Sequence, residues 1–458
     1  MTLELSNPTT GETFREIPCH SWNEVKAQLK TAGQVQKKWK YSSIKSRTQL
    51  VQNAMDYFKE NAATISRDIT LQMGKPFSQS KNEVKGMIHR AEVCCGLSKN
   101  ALKDIPLLEK DGLKRFIKRE PLGVVLDIAA WNYPLLIAVN VVVPAVLAGN
   151  AAVIKHSSLT PLCAIAFEKA FKHAGAPKGL VTALIMDHAT TEKAIGSGLI
   201  DHIAFTGSTG GGRQVQRSAS SQFMDVGLEL GGKDPAYIRE DADLHSAVAG
   251  VMDGAFYNAG QSCCAVERIY VQRSLFDKFV EDAVKLMNNL KIGDPLDDAT
   301  DLGPMAQKSG INTIEDQLKD AADKGANILA HPGPVPGEKN YILPAILTNV
   351  NHSMEVMMEE TFGPTVGIMA VKSDEEAVRL INDSPYGLTA SVWTNDVKKA
   401  TQIGSQIETG TFFMNRCDFL DPALPWVGVK DSGKGCTLSV LGIQQLTRPK
   451  SYYIKLHN

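Results

Sequence analysis

The chain lacks a Cys-x-x-Cys pair, an excess of either charge and an apolar run of bilayer length, and each absence closes a class of function. Its eight cysteines stand at 19, 94, 95, 163, 263, 264, 417 and 436, so a zinc ribbon or thioredoxin-like motif has no pair to rest on. Neighbours such as Cys94 and Cys95 do not make natural bridges, and most of these thiols are expected to be small buried hydrophobes in a reducing cytoplasm. Lys and Arg total 49 against 50 Asp and Glu, which leaves no positive field to collect nucleic-acid phosphates. The most apolar stretch, Leu135 to Gly149, is too short to span a membrane and is interrupted by Asn140 and Pro144. The amino terminus shows no charged lead, apolar block and small-residue cleavage site, so an unexported, soluble protein is expected. What remains is a composition near the globular average, 43% hydrophobic and 22% charged over 458 residues, enough for about two to four packing units.

Periodicity organises the chain. Apolar or small residues at 22, 25, 29, 32, 35 and 39 form a helical stripe from Trp22 to Trp39. From residue 121 onward short β-rich runs alternate with helical segments. Gly123 to Ala130 reads as a buried strand and Pro134 to Leu147 as an apolar helix that accommodates Pro144 by a bend or break. Ala152 to Lys155, Leu180 to Met186, His202 to Thr206 and Met224 to Leu230 read as further strands, with Thr160 and Pro161 opening a helix that Gly175 stops. The alternation restarts after Gly232, with a helix near Asp243 to Tyr257, a strand at Arg268 to Val271, a helix at Ser274 to Leu290 and a strand at Gly410 to Asn415. Such alternation predicts right-handed crossovers and mainly parallel sheets. Leu113 to Glu120 and Lys450 to Lys455 alternate like strands outside these units, as an added edge or a ribbon that pairs with another subunit.

Four segments carry candidate chemistry. Gly260-Gln261-Ser262-Cys263-Cys264-Ala265 sets two thiols among small residues after a predicted helix; taken alone, packed structural thiols are the simpler reading. Glu229-Leu230-Gly231-Gly232-Lys233 ends an apolar strand with a carboxylate, either a general base raised by burial or a partner for Lys233. Phe205 to Arg213 follows a strand and opens a helix whose N–H groups suit phosphate. It is neither a P-loop, because Arg213-Gln214 stands where Lys-Ser/Thr is needed, nor G-x-G-x-x-G, because Thr209 takes the second glycine position. Trp131-Asn132-Tyr133-Pro134 lies at the carboxyl edge of the sheet, where Asn132 suits either an oxyanion or an Asx turn before proline.

In this order, and with Lys155-His156-Ser157-Ser158, Glu359-Glu360-Thr361-Phe362-Gly363-Pro364 and Lys430-Asp431-Ser432-Gly433, these motifs resemble the aldehyde dehydrogenase superfamily, from about residue 7 to the carboxyl end. The resemblance implies an α/β fold of two doubly wound domains plus a small β ribbon for oligomerisation. The cofactor-binding domain would take residues 1–102 and 123–230, the catalytic domain 231–436, and the ribbon 103–122 with 445–458. It implies Cys263 as nucleophile, Glu229 as general base and Asn132 as the oxyanion amide. Lys155 would meet the adenosine ribose, Gly207 and Ser208 the pyrophosphate, and Glu360 with Phe362 the nicotinamide ribose. Ile128, Trp131, Ser158, Phe205, Gly212 and Leu230 would line the rest of the NAD or NADP cleft. Tyr133, Tyr257, Ser262, Asp418, Leu420 and Trp426 are expected around the aldehyde. No metal is expected, and the implied partners are a small-molecule aldehyde and further copies of the chain in a dimer or tetramer.

Departures from the family pattern leave specificity open. Ser158 replaces the glutamate usual in NAD-preferring members, admitting a 2′-phosphate beside Lys155, whereas Asp187 would favour NAD if it faced the ribose. Pro425-Trp426-Val427-Gly428 replaces the common Pro-Phe-Gly-Gly. Arg416 would pair with the carboxylate of a semialdehyde if it faced inward; packing at a subunit contact is the simpler expectation. The product is expected to be the carboxylic acid, formed through a thiohemiacetal and a thioester on Cys263. Small aliphatic or aromatic aldehydes are alternatives to a semialdehyde. A cofactor-independent cysteine esterase or acyl transferase, and a silent dinucleotide-binding protein, are competing functions.

Overall fold

The computed structural model describes residues 1–108, 110–333, 335 and 340–456. The helical stripe at the start forms the helix Trp22–Trp39, and its entry is a capping box in which the Ser21 hydroxyl accepts from the Glu24 N–H while the Glu24 carboxylate accepts from the Ser21 N–H.

The first sheet has six strands, in the order Gly433–Lys434, Asp225–Glu229, His202–Thr206, Val124–Ala129, Ala151–His156 and Val181–Ala183. All neighbours are parallel except the Gly433–Lys434 edge. The strand VVLDIA is buried at every position because helices cover both faces. The helix Pro134–Ala148 begins with proline at its first turn and ends at Gly149, φ 96°. It is a single helix through Pro144, so of the expected bend or break the break does not occur; the helix is buried on nearly every side. A Cβ at Gly149 would sit 2.8 Å from the Arg47 guanidinium, which donates to the Leu147 carbonyl at 3.0 Å and so satisfies the end of that helix. Two expectations change. Leu180 to Met186 shortens to Val181–Ala183, an edge strand paired only with Ala152–Ile154. Gly433–Lys434 joins this sheet instead of the unit containing residues 231–436, because its backbone completes the ladder of Asp225–Glu229.

The second sheet has seven strands, in the order Asn327–Ala330, Ala345–Thr348, Thr365–Val371, Val266–Gln272, Asp234–Ile238, Thr389–Trp393 and Thr411–Met414. Only Asn327–Ala330 runs antiparallel. Thr447–Lys455 and Leu113–Pro121 pair antiparallel over nine residues and carry Ile105–Pro106 as a third strand. Three large apolar clusters match this plan, one around the first sheet and one on each face of the second.

Candidate active site

Around Cys263 the loops at the carboxyl ends of strands of the first sheet meet loops that precede strands of the second, Cys263 itself lying just before Val266–Gln272. The approach to it is backbone-strained: Asn258 (φ 54°), Ala259 (φ 55°) and Gly260 (φ 69°) are successive left-handed residues. Gly260 is obligatory, because a Cβ there would strike the Gly363 carbonyl. Side-chain amides lock the turn. Gln261 donates to the Asn258 carbonyl at 3.1 Å and accepts from the Ala306 N–H at 2.9 Å, while Asn258 donates to the carbonyls of Asn132 (3.3 Å) and Gln261 (3.1 Å).

Asn132 comes from the loop before the helix Pro134–Ala148, is 3% exposed and donates to the Gln261 carbonyl at 3.1 Å. The glutamate segment arrives from the other side. A Cβ on Gly232 would lie 2.6 Å from the Cys263 carbonyl oxygen, so the Glu229-to-Lys233 segment rests directly on the cysteine's backbone. The structure thus brings the Asn132, Glu229 and Cys263 segments together. The Glu229 carboxylate itself is held by the hydroxyls of Thr437 and Thr206, the latter at 3.4 Å. Burial raises its pKa above the ordinary glutamate value, against the pull of those bonds and of Arg90.

Beside the half-buried Cys263 lies the buried Cys264. The Cys263 sulfur and burial push the Cys264 thiol well above the ordinary range, so it stays protonated and donates to Asp418 at 2.9 Å. Ser262 donates to the same Asp418 oxygen at 2.8 Å. Burial lifts Asp418 to about 6, and its backbone is left-handed, φ 44°. Asp418 and Tyr257 both act on the buried Tyr133 hydroxyl, which places these expected pocket residues in one neighbourhood. Arg416 is exposed, with its guanidinium 3.6 Å from the Phe419 ring centroid, because stacking on an aromatic face in water avoids the desolvation of turning inward. Trp426 is 4% exposed and clusters with Cys264 and Leu388, with Cys263 and Leu420 packed against them, so it lies beside the cysteine.

On the cofactor side, the Phe205 ring packs on the glycine turn: a Cβ at Gly207 or Gly211 would meet it at 2.7 or 2.8 Å. Ser208 caps the helix Thr209–Ser218 by accepting from the Gly211 N–H at 3.2 Å. Gly212 makes room for the buried Leu230, so these two are a packing pair. Ile128 is buried within its strand, whereas Lys155 ends the neighbouring strand at 7% exposure. Burial lowers the Lys155 pKa, and Asp187 partly restores it. Ser158 is exposed. Asp187 caps the helix His188–Ile195 by accepting from the Thr190 N–H at 2.7 Å. Trp131 meets Phe362 edge-on at 5.5 Å, over a cavity of about 230 Å³ that also touches Gln261, Glu360 and Thr361. A glycine-rich helix start, a strand-end lysine and an aromatic-walled cavity fit a dinucleotide.

Two buried ion pairs escaped the sequence reading. Lys75 pairs with Glu83 and lies 3.8 Å from the Tyr133 ring centroid, while Glu83 accepts from the Leu135 N–H at 2.8 Å. Lys233 donates to Glu267 at 2.7 Å, and Glu267 accepts from the N–H groups of Thr361 and Phe362, both at 2.8 Å. The second pair answers the question left open for Lys233: its carboxylate partner is Glu267. It also fixes Phe362 at φ 51°. Glu360 accepts from the Gly232 N–H at 3.1 Å, and burial beside Glu267 raises it to about 8.

The aldehyde dehydrogenase family model matches residues 1–452. This chain belongs to the aldehyde dehydrogenase family. It is similar to an aldehyde dehydrogenase of Paenarthrobacter nicotinovorans, 33% identical over 459 residues covering 99% of this chain and 100% of that one. It is also similar to the NADP(+) succinate-semialdehyde dehydrogenase of Deinococcus radiodurans, 33% identical with 97% and 93% covered. Among solved structures, succinic semialdehyde dehydrogenase from Streptococcus pyogenes in complex with NADP+ superposes with a TM-score of 0.95 at 28% identity, covering 99% of this chain and 100% of that one. The fold is that of the aldehyde dehydrogenases, and the protein is an NAD(P)-dependent oxidoreductase acting on an aldehyde.

Proposed function

We propose that this aldehyde dehydrogenase makes carboxylic acids with Cys263 as nucleophile, Asn132 as oxyanion donor and Glu229 as general base. The observation that carries the reading is the convergence at one loop: Asn132 on the Gln261 carbonyl, and Gly232 against the Cys263 carbonyl. Cys263 adds to the aldehyde carbon, and the resulting oxyanion accepts from the Asn132 amide and the Cys263 N–H. Bound NAD(P)+ supplies the hydride acceptor. Glu229, raised by burial, removes a proton from the water that opens the thioester. The acid leaves and the thiol returns. A panel of aliphatic, aromatic and carboxylated aldehydes, read by absorbance of the reduced nicotinamide, tests this; full turnover in Cys263→Ala would overturn it.

Semialdehyde oxidation is supported by the names of the relatives. Arg416 is exposed and stacks on Phe419. NADP+ is the preferred coenzyme in this reading, because Ser158 offers no carboxylate to repel a 2′-phosphate and Asp187 is engaged by its own helix. Ser158→Glu is expected to lower kcat/KM for NADP+ at least about tenfold relative to NAD+, by placing a charge against the phosphate. An unchanged ratio would remove Ser158 from coenzyme choice.

We further propose the domain division 1–102 with 123–230, 231–436, and 103–122 with 445–458, with Gly433–Lys434 reassigned to the first sheet. Assembly through the Leu113–Pro121 and Thr447–Lys455 ribbon is supported by exposed Leu107, Leu108, Tyr453 and Ile454. No helix among the described residues is long and apolar enough to cross a membrane. Eight free cysteines support a reducing, cytoplasmic setting.

A further inference from the structure

The Glu229 carboxylate is held from two sides by hydroxyl groups. Thr206, its neighbour across the parallel ladder, donates to one oxygen at 3.4 Å, and Thr437 donates to the other. A contact of 3.4 Å is near the limit of a useful hydrogen bond, so the Thr437 hydroxyl carries most of the hold.

The backbone around Thr437 explains why that hydroxyl stays in place. Its N–H donates to the Trp426 carbonyl at 3.0 Å, and its carbonyl accepts from the Trp426 N–H at 2.9 Å, an isolated antiparallel bridge. On the other side the helix Ser439–Gln445 presses against it: a Cβ at Gly442 would lie 2.5 Å from the Thr437 carbonyl carbon, so glycine is required there. Upstream, Gly433 pairs directly with Glu229. Thr437 is thus tied at one end to the strand of the base and at the other to Trp426, which clusters with Cys264 beside the nucleophile.

Charged neighbours do not replace this contact. The cation acting on Glu229 among the described residues is Arg90, and its guanidinium is bonded elsewhere, to the Leu136 carbonyl at 3.1 Å and the Asn140 side-chain oxygen at 3.2 Å. In the small cavity beside Glu229, burial lowers His202 to about 4 and raises the Cys436 thiol to about 11, so both are neutral. Lys434 borders the same cavity but is exposed, and Asp127, two strands away, is kept neutral by burial. Burial also opposes an ionised Glu229, and of the groups that counter it the Thr437 hydroxyl acts most strongly, ahead of Arg90 and Thr206.

We infer that Thr437 is a positioning residue acting through Glu229: its fixed hydroxyl aligns the carboxylate and favours the ionised form that deacylation requires. This deepens the reading of Glu229 as general base and rests on it. In that step a water O–H bond breaks and its proton goes to the Glu229 carboxylate. The water oxygen bonds to the acyl carbon, and the carbon–sulfur bond breaks with its electron pair left on Cys263. Nothing is oxidised or reduced.

The test is the pH dependence of acyl-enzyme hydrolysis over roughly pH 5 to 9, followed by rapid quench with NADP+ and a radiolabelled aldehyde that the wild type oxidises. Thr437→Val keeps the shape and removes the donor. A base works only when ionised, so hydrolysis falls on the acid side of its pKa, and losing a donor to the carboxylate moves that fall to higher pH. The acid limb is expected about one pH unit higher, with hydrolysis about tenfold slower below it and within about twofold of wild type above it. Formation of the acyl-enzyme should be unchanged, and Thr437→Ser should return the limb to within roughly 0.3 units of wild type. An unmoved limb in Thr437→Val, equal slowing at every pH, or no restoration in Thr437→Ser overturns the inference. Glu229→Gln separates the two claims. Wild-type hydrolysis in that variant sinks the general base itself, whereas slow hydrolysis there with a wild-type limb in Thr437→Val sinks the role of Thr437 alone. Should Thr437→Val fail to fold, Thr437→Ala removes the same hydroxyl and is held to the same limits.

Discussion

The nucleophile side and the base side of the site are built in opposite ways. Around Cys263 the side-chain donors are spoken for: Gln261, Asn258, Asn132, Ser262 and Cys264 each donate within the loop or to Asp418, while the Asn258 Oδ1 has no partner among the described residues. Around Glu229 lie a small cavity and two threonine hydroxyls, with Asp127 unpartnered two strands away. A carbon–sulfur bond must form at one defined angle, which rewards a rigid frame. A proton must leave, which rewards slack and water. The difference is that the loop bearing Cys263 is tied down by its own side-chain donors, whereas Glu229 borders a small cavity.

The two buried lysine–carboxylate pairs show how the rigid side is made. Glu83 receives backbone N–H groups at the start of Pro134–Ala148, and Glu267 receives those of Thr361 and Phe362, each with a lysine neutralising it. Each pair turns a loop end into a fixed strut on one side of the cleft.

The contrast can be broken in graded ways. Removing the nucleophile is the largest: Cys263→Ala should lower aldehyde oxidation by roughly 10⁶-fold, while dinucleotide binding, followed by quenching of tryptophan fluorescence, persists. Next is the frame. Lys75→Met leaves the Glu83 charge buried without its cation, so urea unfolding should show a loss of about 3–5 kcal/mol, and a loss below 1 kcal/mol would mean the pair is not a strut. Asn132→Ala removes the oxyanion donor and its bond to the Gln261 carbonyl; kcat should fall about a hundredfold, and an unchanged kcat would remove it from the site.

The smallest effect concerns pH. Burial lowers His156 to about 3 and His202 to about 4, below their unfolded-state value of about 6.5. A group whose folded pKa is depressed contributes stability above its unfolded pKa and loses it as pH falls toward the folded one. Between pH 6.5 and 5.5 each should therefore cost about 1 kcal/mol, and His202→Gln should flatten its share of that slope in urea titrations. A slope unchanged in His202→Gln would show that this histidine does not report on the base side.

Legibility in the sequence followed distance along the chain. The helix Trp22–Trp39 and the strand around Val124–Ala129 could be read because periodicity and caps act over a few residues, whereas the motif bearing Cys263 could be read only through its resemblance to a known family. Lys75 with Glu83 was missed although only eight residues separate them, since nothing local says that both are buried. Lys233 with Glu267, and Gly433–Lys434 on the edge of the first sheet, join segments far apart. The left-handed turn at Asn258 and Ala259 had one usable signal, Gly260 following an asparagine and an alanine.

Composition and short-range pattern were enough to determine an α/β chain with parallel sheets and a glycine-rich turn, while the aldehyde dehydrogenase type of the cysteine segment came from the resemblance of its motifs to that family. Whether a given carboxylate becomes a strut, as in Glu83 and Glu267, or remains unpartnered, as in Asp127, was decided only by the tertiary structure. The reason is physical: a carboxyl group's protonation and role depend on the dielectric, charges and donors that surround it, and those come from strands and helices distant in sequence.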